Sequence, residues 1–166
     1  MFSRILVPTD FSPTSDAALE YARILAAKFG SSLQLLHVID DPAASTAIVA
    51  DGFAPDTVDI REAMLAQARE RLACAMSVTD RARFHATAEA FVGMPASVIV
   101  DYAAATGTAL IVMGTHGRTG LAHLLMGSVA EHVVRTARCP VLTVRQAGVV
   151  DEAGVPVLDR CLPMSA

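Results

Sequence analysis

Across residues 1–145 the chain alternates between two hydrophobic patterns. Short apolar runs read as strands buried on both faces of a parallel sheet. They are Ile5-Leu6-Val7, Ser32 to Ile39, Ala109 to Met113, and Cys139 to Arg145 with Val141, Leu142, Thr143 and Val144 at its heart. Between them apolar residues return at helical spacing. Ala18, Tyr21, Ala22, Leu25 and Phe29 mark one helix, with Ser12 as its N-cap, Pro13 at its first position and Gly30 as a left-handed stop. Ile60, Met64, Ala68, Leu72 and Ala75 mark a long second helix, on which Met64, like Met76 beyond it, reads as core filling. Gly93 and Pro95 open a third helix, carrying Val98, Ile99, Tyr102 and Ala103, and Gly107 closes it. Val129 to Ala137 mark the last. A further strand over Arg83–Phe91 rests on partial alternation alone.

Strand and helix in regular alternation mean right-handed βαβ units. The expected fold is α/β and Rossmann-like, a five-stranded parallel sheet in the order 3-2-1-4-5 with helices on both faces. Residues 1–145 form one domain in this reading, and 146–166 a tail that is a small hairpin, an extension of a dimer interface or disordered. Residues 40–56 lose all periodicity and read as an irregular loop, a lid or a mobile segment.

Composition narrows the function classes. At 166 residues, 53% hydrophobic and poor in aromatics, the chain suits one domain packed from small apolar side chains. A formal net charge of -4 argues against a nucleic-acid surface or an anionic membrane as partner. Cys74, Cys139 and Cys161 have neither CxxC pairing nor metal-finger spacing, and read as reduced thiols. No apolar run approaches the roughly 20 residues of a bilayer span, and the start lacks a signal-peptide core. The expected location is cytoplasmic.

The chemistry concentrates in Gly114 to Val129, where a strand passes through a glycine-rich loop into a helix. Glycines let backbone N–H groups approach an anion, and a helix start adds unpaired N–H groups and the positive dipole end. No Lys-Ser/Thr follows the glycines, so this is not a Walker A loop, and Gly114 and Gly117 do not fit GxGxxG. Glycines alone leave two readings open, phosphate binding or tight turns. In the expected strand order the crevice lies between the first and fourth strands, where Pro8 to Ser12 meets Gly114 to Ser128. Asp10 in the first of these loops is either a ligand group or a helix cap. His37 reads as a satisfied core histidine and Cys139 as packing; His116 and Arg118 are either phosphate contacts or exposed side chains, and His123 and His132 lack the partnered carboxylate of a metal site.

The spacing Gly114-x2-Gly117-x9-Gly127-Ser128 resembles the ATP-binding members of the universal stress protein family. So do Val7-Pro8-Thr9-Asp10-Phe11-Ser12, His37-Val38-Ile39-Asp40, Gly93-Met94-Pro95, Met113 to Arg118, and Cys139 to Val144. The resemblance covers nearly all of residues 1–145. It implies an adenine nucleotide α-hydrolase-like fold and bound ATP with Mg on its phosphates. Val38 and neighbouring backbone would hold adenine and Asp10 the ribose, with Pro8, Thr9 and Met113 beside them. Gly114, Gly117, Arg118, Gly127, Ser128 and Val129 would surround the phosphates. It also implies a homodimer through Val141 to Val144, and protein partners of unstated identity.

Three functions follow. The first is a nucleotide-dependent stress-response regulator that acts by binding. The second is a slow ATPase or phosphoryl-transfer enzyme, for which Arg118 and a metal are the only candidates, since the loop has no lysine or general base. The third is a nucleotide-independent dimeric interaction module.

Overall fold

A computed structural model of the chain describes residues 2–40, 57–115 and 128–145. Five strands form one sheet: β1 (Arg4–Pro8), β2 (Ser32–Asp40), β3 (Thr87–Gly93), β4 (Leu110–Gly114) and β5 (Val141–Val144). Their order is β3-β2-β1-β4-β5, as expected, and each neighbouring pair is parallel. β1 is therefore central, with Ile5 beside Leu33 on one side and beside Leu110 on the other. Both faces of β1 are buried, which is why its core is wholly apolar.

Alternating strand residues feed two cores. Ile5, Val7, Leu35 and Val112 pack on helices α1 (Pro13–Phe29) and α2 (Thr57–Ala75). Leu6, Leu36 and Ile111 pack on α4 (Pro95–Thr106) and α5 (Ser128–Thr136). Ala18, Ala22 and Ala26 give α1 a small-residue face that can sit close against the sheet. Its ends are as expected: the Ser12 hydroxyl accepts from the Ser15 N–H at 3.3 Å, and Gly30 stops the helix at φ 67°. Gly107 ends α4 in the same way at φ 63°.

The region after α2 differs from expectation. Arg83 and Phe84 are helical, within a short helix α3 (Val78–Phe84), and β3 begins only at Thr87. Ser77 caps α3 by accepting from the Asp80 N–H at 3.0 Å, and His85 stops it with φ 46°. Arg23 of α1 then docks the segment, donating to the Ala75 carbonyl at 2.9 Å and to the Asp80 carboxylate at 3.0 Å. The last strand is also shorter than read, because Cys139 and Pro140 precede its ladder and Arg145 follows it.

The α2 packing face is rotated as well. Ala68, Leu72 and Met76 are buried, but Met64 is 44% exposed. Met76 is core; Met64 is not.

Candidate functional site

A cleft of about 550 Å³ opens at the carboxyl ends of β1, β2 and β4. Parallel strands all point their carboxyl ends there, and the connections from β1 and β4 depart to opposite faces of the sheet, leaving a gap between them. Pro8, Thr9 and Asp10 form one wall and Val38 borders it from β2. Met113, Gly114, Ser128 and Val129 form the facing wall. The described residues singled out from sequence are thus brought to a single cleft. Gly117, Arg118 and Gly127 lie outside the described residues, as do the 41–56 loop and the tail from 146.

The β1–α1 turn is fixed by a directed chain of hydroxyl groups. The Ser15 Oγ donates to the Ser12 carbonyl at 2.8 Å, which uses its one proton. Thr9 Oγ1 must then donate to Ser15 Oγ, 3.0 Å away, and in turn accept from the Phe11 N–H at 3.0 Å. The Ser12 N–H donates to Asp10 Oδ1 at 3.1 Å, holding that carboxylate at the cleft. Asp10 is therefore an oriented acceptor rather than the α1 cap, a role that Ser12 fills.

Phe11 pays a backbone cost to sit here, with φ 61° in the left-handed region. Its ring lies 4.5 Å from the His37 ring, and the Arg71 guanidinium carbon is 4.0 Å from its centroid. His37 Nδ1 is 2.7 Å from the Thr9 carbonyl, which can only accept, so Nδ1 carries a proton. His37 is satisfied, as read, but it is half-buried and lines the cleft instead of the core.

Across the gap, Gly114 is needed for close approach. A Cβ there would stand 2.8 Å from Thr14 Cγ2 and 3.2 Å from the Thr14 carbonyl carbon. The Thr115 N–H continues the ladder to the Val144 carbonyl at 2.9 Å. Ser128 is the first residue of α5 and is exposed, so its hydroxyl and the helix's first N–H groups border the cleft.

The charge at the turn is acidic. Partial burial, then the neighbouring Asp10 and Glu20 charges, push the Asp16 carboxyl above its ordinary range, against an opposing pull from Arg23 and Arg71. Across the cleft stands the positive end of the α5 dipole.

A third wall was not read from sequence. Met64, Gln67, Ala68 and Arg71 of α2 border the cleft, one stripe at helical spacing. Their periodicity was visible, but a stripe facing a cleft and one facing a core look alike in a single sequence.

The profile of the universal stress protein family matches residues 1–145. This chain belongs to that family. Universal stress protein MJ0531 of Methanocaldococcus jannaschii is 33% identical over 146 residues, covering 88% of this chain and 84% of that protein. Among solved structures, MJ0577 of the same organism superposes with a TM-score of 0.71 at 28% identity, covering 88% of this universal stress protein and 97% of its relative. The fold is also that of a universal stress protein from Archaeoglobus fulgidus solved in complex with dAMP, with a TM-score of 0.54 at 24% identity, covering 86% and 98% of the two chains. No helix among the described residues of the present protein is long and apolar enough to cross a membrane.

Proposed function

We propose that this universal stress protein binds ATP in the cleft and regulates stress responses in the cytoplasm through that binding. The observation that carries this reading is the opposition of an oriented carboxylate, Asp10, and a helix start with an exposed serine, Ser128, across one cleft. A carboxylate accepts from ribose hydroxyls and repels phosphates, so it belongs at the sugar. Helix N–H groups and the dipole end favour phosphate. Val38, with Pro8, Thr9 and Met113, would then contact the nucleoside. Gly114, Gly117, Arg118, Gly127, Ser128 and Val129 would surround the phosphates, with Mg carried by the phosphate oxygens. The dAMP complex of the Archaeoglobus fulgidus protein supports the reading at the level of the fold.

Binding, rather than turnover, is favoured by the position of Lys28. It is the only lysine in the sequence and stands in the last turn of α1, the end away from the cleft. Phosphoryl transfer asks for charge neutralisation and a positioned nucleophile.

Titration calorimetry on nucleotide-stripped protein tests the reading. ATP binds, and Gly127→Val or Ser128→Ala weakens it by about tenfold or more, the scale of one lost charge-assisted hydrogen bond. Folded wild-type protein giving no heat with ATP overturns it.

We also propose a homodimer through β5, an edge strand of the described sheet on which Leu142 is 39% exposed. Light scattering that finds a monomer at micromolar concentration overturns that part.

A further inference from the structure

Resting on the nucleotide reading above, we infer that α2 supplies the side chain that reads the base: Gln67 accepts a hydrogen bond from the exocyclic amino group of adenine. α2 is anchored by its buried residues Ala68 and Leu72, which fix the rotation of the helix and present Met64, Gln67 and Arg71 to the cleft. α2 packs against β2 and β3, so these residues lie on the side of the cleft where Val38 ends the β2 wall.

Few of the cleft's other side chains can both donate and accept at such an edge, and the hydroxyls that can, those of Thr115 and Ser128, belong to the wall that follows β4. Asp10 and Asp40 offer acceptors, and Arg71 offers donors from a guanidinium already seated on Phe11. Thr9 and Ser15 spend their protons within the β1–α1 turn, and His37 Nδ1 donates to the Thr9 carbonyl. Gln67 is the only carboxamide among the described residues that line the cleft. Its planar oxygen and amino group match the donor and acceptor that adenine presents side by side, the 6-amino group and a ring nitrogen. Met64, 44% exposed at the cleft and one turn before Gln67, places a thioether where a purine can lie on it. An apolar residue and an amide one turn apart on a rigid helix give a face contact and an edge contact together.

A cycle of protein and ligand changes tests the assignment. ATP and purine riboside triphosphate, which lacks only the 6-amino group, are titrated into the wild-type protein and Gln67→Ala. Gln67 is exposed on its helix, so the variant keeps the fold, checked by its melting temperature. Wild-type protein prefers ATP by about 3- to 10-fold, the scale of one hydrogen bond, and Gln67→Ala binds the two within about twofold. An equal preference in both proteins, or no preference in wild type, overturns the Gln67 assignment and leaves the nucleotide reading standing. Binding of neither ligand by folded wild-type protein removes both.

Discussion

The two walls that face each other across the cleft are built by opposite means. From Thr9 to Ser15 the β1–α1 turn is held by side chains, the hydroxyls of Thr9, Ser12 and Ser15 each with an assigned donor or acceptor and Phe11 pinned between His37 and Arg71. The start of the β4–α5 connection is shaped by a side chain that is missing, since Gly114 lets β4 approach Thr14. A wall made of hydrogen bonds tolerates conservative changes that keep the donors, whereas a wall made by close approach tolerates no added atom. Thr14, in the first turn of α1, is where the two walls touch.

The largest effect expected from this contrast is at Gly114. Gly114→Ala forces a methyl group against Thr14 and costs about 1–3 kcal/mol, the range for overpacking. Thr14→Ser in the same protein removes the Cγ2 atom and recovers part of the loss, but not all, because the Thr14 carbonyl carbon is also close. Denaturant unfolding of the single and double variants measures both. Equal stability of Gly114→Ala and wild type would show that the walls do not depend on close approach.

Next comes the hydroxyl chain. Thr9→Val removes the acceptor of the Phe11 N–H and costs about 1–2 kcal/mol, the range for an abandoned partly buried donor, whereas Thr9→Ser costs much less. Similar losses for valine and serine would shift the role of Thr9 from hydrogen bonding to packing of its methyl group.

The smallest effect concerns charge. The Asp16 pKa is raised on folding, so its contribution to stability is fully present below its ordinary value of 3.8 and is lost as pH rises through the folded value. Asp16→Asn should therefore gain stability relative to wild type at pH 7 compared with pH 3. The gain is modest, because the side chain faces solvent. Asp10→Asn should lower the Asp16 midpoint in an NMR titration, Asp10 being the largest charged contributor to the shift.

Much of this architecture was legible in the sequence because it is written in local rules. The apolar strand runs, the Ser12-Pro13 start of α1 and the glycine stops at Gly30 and Gly107 each depend on a few neighbouring residues. Strand order placed the Pro8–Ser12 turn opposite Gly114, and the glycine spacing carried the family. What stayed hidden depends on distant partners. α3 is a seven-residue helix whose Ser77-x-x-Asp80 start was readable as a cap, but its docking relies on Arg23, far away in sequence. The α2 stripe has helical spacing whether it faces a core or a cleft, so Met64 was read as filling, Arg71 was placed on the polar side of the helix and Gln67 went unremarked. His37 was misplaced for a similar reason. Being near the end of a buried strand, it turns its ring towards the gap that the neighbouring loops leave.

The central place of β1 has a consequence for how a bound ligand acts on the chain. β1 pairs with β2, its near neighbour in sequence, and with β4, which is made from residues much later in the chain. The cleft inherits that division, with Asp10 on one lip and Ser128 on the other. A molecule held between them fastens the start of the polypeptide to its final third and closes a very long loop, a constraint that a contact within either half cannot supply. The site exists only once both parts have assembled, so ligand affinity is a reward reserved for the completed fold.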